Sequence, residues 1–260
     1  MTASSAQILA PNLGYEHIVL FGDSLTELGT YDPHGWGNSL ARRYNRKLQV
    51  SGRGLGGYNS YWLKFAISPI LADFPPSKIK LFVLLIGTND STTAASNQHV
   101  PVEIYRENLS AIIALFRAHS SDARVLVLTP PPISASVVYD NYQFENSRNY
   151  RDACIEAVNG VSFDHVALLD TWSLLVPDNS FEDPSFDPTS IDRFFGDKLH
   201  LSELGNDVFY EGIAQKIDKE WPELNHEVLA TKLPSNYQLG PPAILGDDTA
   251  VKEWLFQDTD

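Results

Sequence analysis

The chain has one cysteine, Cys154, so no disulfide can close within it. That suits a reducing compartment. It has no long hydrophobic run either. The longest, Leu81 to Ile86, falls far short of the ~20 residues needed to span a membrane. The opening stretch MTASSAQILAPNLGYEH has neither a basic start nor a sustained apolar segment and does not read as a secretory signal. A soluble cytoplasmic protein with no membrane span is therefore expected. Basic residues are scarce: 19 Lys and Arg stand against 33 Asp and Glu, a net charge of −14. Such a field repels phosphate backbones, which argues against nucleic acid, and favours neutral over anionic substrates. The one basic cluster, Arg42, Arg43, Arg46 and Lys47, reads as the solvated face of a helix. Internal repeats and low-complexity tracts are missing.

What is present is alternation. Apolar runs at His17–Phe21, Leu48–Ser51, Ile79–Ile86, Arg124–Thr129 and His165–Asp170 read as strands. Helical patterns fall at Trp36–Lys47, Ser60–Ala72, Val102–His119, Asn146–Asn159 and about Ser202–Trp221, the last with Ser202 as N-cap. In Val102–His119 the apolar stripe is Ile104, Leu109, Ile112, Ile113, Leu115 and Phe116. In the last helix the buried side is Leu204, Val208, Ile213, Ala214 and Ile217. Strand and helix in turn imply an α/β fold, a flavodoxin-like three-layer α/β/α domain on a five-stranded parallel sheet of order 2-1-3-4-5. One domain over residues 1–260 is expected, with its core at about 17–221 and an extension from 222 to 260. Pro177–Gly196 reads as a long loop. In the extension, Trp254, Leu255 and Phe256 suit docking either on a second copy, making a homodimer, or on the chain's own domain.

In an open parallel sheet, ligands bind beyond the carboxyl ends of the strands. Polar residues stand there in four places: Gly22-Asp23-Ser24, the glycine-rich stretch Gly52 to Asn59, Gly87-Thr88-Asn89-Asp90, and, past the long loop, Asp197-Lys198-Leu199-His200. The strand in VLFGDSLTELG stops at a tight small-residue turn and leaves Ser24 at the sheet rim, as a nucleophile, a helix cap or both. A serine hydroxyl needs a base, and a histidine base needs a carboxylate to orient it. Of seven histidines only His200 has an aspartate, Asp197, three residues before it. Acyl transfer also needs donors for an oxyanion. The N–H of Ser24, the N–H of Gly57 (which opens the second helix) and the amide of Asn89 are the candidates. Leu25, Tyr58, Trp62, Pro130, Phe194, Phe195 and Leu199 lie near the same edge as a candidate apolar substrate pocket.

The blocks FGDSLTE, RGLGGYNS, IGTND and DKLHLS, in this order, resemble the four blocks of the SGNH/GDSL hydrolases from about His17 to Glu220. The resemblance implies Ser24 as nucleophile, Gly57 and Asn89 as oxyanion donors, and His200 with Asp197 as base and orienter, with no cofactor or metal. RGLGGYNSYW is similar to the isoamyl acetate-hydrolysing esterase branch, which implies a small neutral ester of short acyl chain as substrate. Many members carry Asn where this chain has Arg53.

Other readings of the same residues compete. Within the superfamily, a lipase, a thioesterase or a carbohydrate deacetylase is the alternative. Gly52 to Gly57 satisfies G-x-G-x-x-G, a nicotinamide-dinucleotide fingerprint, but it follows the second strand, and Asp73 precedes the third strand instead of ending it. Gly37-Asn38-Ser39-Leu40-Ala41 resembles a nucleophile elbow, yet no strand leads into Ser39. Asp23, Asp90, Asp197 and His200 are metal-ligand types, but no helix presents two of them at i, i+4; Asp90 is expected to brace Asn89 and its loop. A non-catalytic binding module is the last alternative, although no member of the triad is missing.

Overall fold

A computed structural model describes residues 14–134, 136–139, 141–233 and 247–255. Five strands, β1 (His17–Gly22), β2 (Gln49–Gly54), β3 (Ile79–Leu85), β4 (Arg124–Leu128) and β5 (Val166–Leu169), form one parallel sheet in the order β2-β1-β3-β4-β5. The order is the one the alternation implies. Between strands run α1 (Ser24–Tyr31), α2 (Trp36–Arg43), α3 (Ser60–Leu71), α4 (Val102–His119) and α5 (Phe144–Gly160). After β5 come the short α6 (Thr171–Leu175), α7 (Glu203–Glu220) and α8 (Asp248–Leu255).

The central strands are apolar on both faces because both faces are covered. Ile18, Leu20, Leu81, Val83, Leu85, Leu126 and Leu128 point to one side, where Leu25, Trp36, Leu40, Phe209, Ile213 and Ile217 of α1, α2 and α7 meet them. Their alternates Val19, Phe21, Phe82, Leu84, Val125 and Val127 pack against Leu63, Ile67, Leu109, Ile112, Phe116 and Cys154 of α3, α4 and α5. This period-two division makes the three layers.

Several boundaries and faces differ from the sequence reading. The helix expected to reach Lys47 stops at Arg43, and Arg46 turns the chain toward β2 with φ of 65°. β2 runs on to Gly54, so the first three residues of the glycine-rich stretch are strand. In α4, Ile104 is exposed, while Tyr105 and Asn108 are buried in its place. Leu204 of α7 is also exposed, and Gly205 and Phe209 take the inner face. Pro177–Gly196 contains two 3-10 turns, Ser180–Glu182 and Pro188–Phe194.

Of the basic cluster only Arg42 is an exposed face residue; the other three cations are partly buried and paired. Arg43 pairs with Asp218 of α7 at 2.6 Å. Arg46 donates to the carbonyl of Leu233 at 2.6 Å. Lys47 donates to the carbonyls of His226 and Leu229, the latter at 2.9 Å. Arg46 and Lys47 thus fasten the segment after α7 through its backbone carbonyls, while Arg43 ties α2 to α7 itself. Phe256 lies outside the described residues.

Candidate active site

The ends of β1, β2 and β3 and the loop that follows β5 each deliver one piece of the site. β1 closes on Gly22, where an added Cβ would stand 2.2 Å from both the Leu85 carbonyl and Thr26 Oγ1, so only glycine fits. Asp23 then caps α1, its Oδ1 accepting from the N–H of Leu25 at 2.9 Å. Ser24 is the first residue of α1 and half-buried. The cap is therefore Asp23 and not Ser24, which leaves the serine hydroxyl free for other bonds.

His200 Nε2 stands 3.0 Å from Ser24 Oγ, and His200 Nδ1 stands 2.7 Å from Asp197 Oδ2. The other carboxylate oxygen of Asp197 accepts from the backbone N–H of Leu199 at 3.0 Å and of His200 at 2.7 Å. Between them Lys198 adopts φ of 73°, the left-handed turn that folds the imidazole back over its carboxylate. Partial burial works against the charge on Asp197. Bonds from the His200 ring and from the N–H groups of His200 and Leu199 outweigh it and hold the carboxyl below its usual range. The loop is tied from outside: Lys198 Nζ reaches Asp192 at 3.0 Å, and Asp192 also accepts from Ser134 Oγ after β4.

Gly57 has φ of 77° and lies three residues ahead of α3; the helix opens at Ser60, with Asn59 as its cap. Asn89 is buried and donates Nδ2 to the carbonyl of Tyr58 at 2.8 Å. Among the described residues, the N–H of Ser24, the N–H of Gly57 and the second N–H of Asn89 meet no protein acceptor. Unspent donors on three converging loops are what an anion-accepting site requires.

Asp90 does not brace Asn89. Its carboxylate accepts from the N–H and hydroxyl of Ser60 and so anchors the start of α3. Burial pushes Asp90 up to about 7 against those bonds. Burial likewise pushes Asp23 up to about 7, against the N–H of Leu25 and with a further push from Asp90. Among the described residues, no group of three or more His, Cys, Asp or Glu side chains could hold a metal ion. Ser39 sits inside α2 and accepts from Arg42 at 2.7 Å. Arg53 lies with its guanidinium 4.9 Å above the Phe74 ring.

Of the candidate pocket residues, Leu25, Phe194 and Phe195 belong to the core packed with α7. Leu199 and Pro130 are also buried. Tyr58 is half-buried, and Trp62 is exposed, its ring edge-on to Tyr58 at 6.0 Å. The motif reading missed Gln98 and Tyr142, which both touch Asn89 Oδ1. Neither stands at a strand end or in a motif block, the signals by which the other residues were found. Among the described residues, no helix is long and apolar enough to cross a membrane.

Comparison with known proteins gives the family. The sequence model of the GDSL-like Lipase/Acylhydrolase family matches residues 20–208. The isoamyl acetate-hydrolyzing esterase 1 homolog of Mus musculus is 28% identical over 231 residues, covering 84% of this chain and 86% of that protein. The isoamyl acetate-hydrolyzing esterase of Schizosaccharomyces pombe is 26% identical over 228 residues, 88% of this chain and 82% of its own. In structure, the lipase/acylhydrolase from Enterococcus faecalis superposes with a TM-score of 0.59 at 19% identity, over 84% of this chain and all (100%) of that one. The acetyl xylan esterase AlAXEase gives 0.60 at 19% identity, over 77% and 99%. These last two likenesses speak for the fold alone. With the profile spanning most of its length and named esterases along nearly all of it, the chain belongs to the GDSL-like lipase/acylhydrolase family and is a carboxylic ester hydrolase.

Proposed function

We propose that the chain is a serine esterase that hydrolyses short-chain, acetate-type carboxylic esters through an acyl-enzyme on Ser24. The observation that carries this is the unbroken hydrogen-bonded chain from Asp197 through His200 to Ser24. Ser24 Oγ attacks the ester carbonyl while His200 Nε2 takes its proton. Asp197 at Nδ1 keeps that nitrogen protonated, so Nε2 is the basic one, and it steadies the imidazolium once formed. The N–H groups of Ser24 and Gly57 and the Asn89 amide receive the oxyanion. The alcohol leaves with the proton from His200. Water then attacks the acyl carbon, giving its proton to the same nitrogen, and collapse releases the acid and restores the Ser24 hydroxyl.

Acyl preference follows from what is left open. Leu25, Phe194, Phe195 and Leu199 are spent on packing, and Tyr58 and Trp62 keep apolar surface beside Gly57. A small acyl group suits that limited apolar surface. The charge of −14 favours a neutral ester and drives off the carboxylate product.

The test is a series of p-nitrophenyl esters from acetate to palmitate, run with chelator and with a serine-reactive phosphonate. Turnover should fall with acyl length, survive chelation, and stop as the phosphonate mass appears on the peptide carrying Ser24. Full activity in Ser24→Ala would overturn the reading.

A further inference from the structure

Donors carried on loops hold their aim only as well as the loops are fixed. Gln98, between β3 and α4, donates Nε2 to the carbonyl of Gly57 at 2.8 Å and lies 3.3 Å from Asn89 Oδ1. Tyr142, just before α5, donates its hydroxyl to the same Asn89 oxygen at 2.6 Å. Asn89 donates to the carbonyl of Tyr58. Asn59 closes the ring: its Nδ2 donates to the carbonyl of Gln98 at 2.9 Å, and its Oδ1 accepts from the N–H of Trp62. Residues 57, 58 and 59 are thus each bonded to residue 89 or 98.

A primary amide has two ends of nearly equal size, and only its partners decide which way it faces. Here the deciding partners are backbone carbonyls, which can only accept. The Tyr58 carbonyl requires the nitrogen of Asn89, and the Gly57 carbonyl requires the nitrogen of Gln98. The Asn89 oxygen is then the atom that meets Gln98 and Tyr142, and both have a hydrogen to give. Turning the amide over would set oxygen against the Tyr58 carbonyl and nitrogen against the Gln98 nitrogen, a mismatch that is costly at a residue only 3% exposed. Oδ1 and one N–H of Asn89 are spent in this way, and the other N–H is left for the site. Donors on Oδ1 also polarise the amide and strengthen that remaining N–H. Burial, with Asp23 and Tyr139 nearby, pushes the Tyr142 hydroxyl up to about 12, so it stays a neutral donor at working pH.

We propose that Gln98 and Tyr142 are positioning residues that lock the Asn89 amide with one N–H turned to the oxyanion, Gln98 also coupling that amide to the Gly57 peptide. The proposal rests on reading Asn89 and Gly57 as oxyanion donors. It extends the site to two side chains outside all four sequence blocks.

The experiment is steady-state kinetics on p-nitrophenyl acetate for Asn89→Ala, Tyr142→Phe, Gln98→Met and Gln98→Glu, each of the last three also combined with Asn89→Ala, with thermal unfolding alongside. Asn89→Ala should lose roughly 10²–10³ in kcat. Tyr142→Phe and Gln98→Met should each lose roughly three- to ten-fold in kcat with KM little changed. Gln98→Glu should lose more than Gln98→Met, because it turns an acceptor toward two acceptors. On the Asn89→Ala background Tyr142→Phe should lose less than about two-fold, since no amide remains to be oriented, and the Gln98 variants should keep only the smaller part of their loss that acts through the Gly57 carbonyl. Equal losses with and without Asn89, or losses confined to KM or to stability, would overturn the positioning role while leaving Asn89 in place. An Asn89→Ala enzyme of full activity would instead remove the oxyanion reading itself. Tyr142→Phe deletes one oxygen from a half-buried ring, so the cycle can be read even if a Gln98 variant folds poorly.

Discussion

Ser24 and His200 are 176 residues apart along the chain, and their Oγ and Nε2 are 3.0 Å apart in space. That contact joins the first strand end to a loop that follows the whole sheet. If the pair acts as one unit, Ser24→Ala and His200→Ala should each cost on the order of 10⁶ in kcat, and the double variant should be no worse than either. Ser39→Ala, in α2, should keep full activity. Burst and steady-state assays on p-nitrophenyl acetate check all four. A double variant far below the singles would mean that the two groups act separately.

Two glycines of the second block do different work and should fail differently. At Gly54 an added Cβ would stand 2.1 Å from the backbone nitrogen of Glu27, so α1 or β2 must move. At Gly57 the nearest atom is Gln98 Nε2 at 3.4 Å, an ordinary contact, and the obstacle is the positive φ, worth about 1–2 kcal/mol for alanine. Gly54→Ala should therefore lower the unfolding temperature more than Gly57→Ala. Gly57→Ala should lose kcat out of proportion to its stability, because relaxing φ turns its N–H away. The reverse ranking in either measurement would contradict this division.

The strands and their order were legible because parallel strands buried on both faces leave unbroken apolar runs. Ser24, Asp197 and His200 were legible because strand ends and an Asp three residues before a His are local patterns. Asn89 and Gly57 could be named, but not what holds them: Gln98 and Tyr142 reach the site across 9 and 53 residues of sequence separation, and nothing local marks either. The basic cluster was misread for the same reason. Apart from exposed Arg42, its acceptors are backbone carbonyls and Asp218, more than 170 residues away. Asp90 was assigned to its sequence neighbour when its partner was Ser60, brought in by α3.

Asp23 and Asp90 should make stability fall as pH rises. Both are pushed up to about 7 in the folded protein, against an ordinary value of 3.8. Between those values the folded state holds protons that the unfolded chain has released, so raising pH favours unfolding. Their contribution is fully present below about 3.8 and is lost as pH climbs toward 7. Asp170 and Asp197, held below 3.8, act oppositely, and their stabilisation disappears only at lower pH. Urea midpoints should thus peak on the acidic side of neutrality and decline toward pH 7. Asp90→Asn, which keeps an acceptor for Ser60 without the charge, should flatten that decline. A midpoint that rises steadily from pH 4 to pH 7 in the unaltered protein would count against it.

The fastening of the segment after α7 should be separable from catalysis. Lys47 holds the carbonyls of His226 and Leu229, and none of these groups touches Ser24, His200 or Asn89. Lys47→Met preserves the length of the stem but removes every donor, leaving two half-buried carbonyls to water. Limited proteolysis should then cut between Asn225 and Leu233 several-fold faster, with kcat unchanged. Arg43→Met acts deeper, because it strands Asp218 Oδ2 beside an Oδ1 that is already buried without a hydrogen-bond partner among the described residues. Removing one member of such a pair costs about 1–3 kcal/mol, so this variant should unfold at lower urea while Lys47→Met hardly shifts. If Lys47→Met lowered kcat as strongly as it speeds cleavage, the segment would belong to the active site and not to the scaffold.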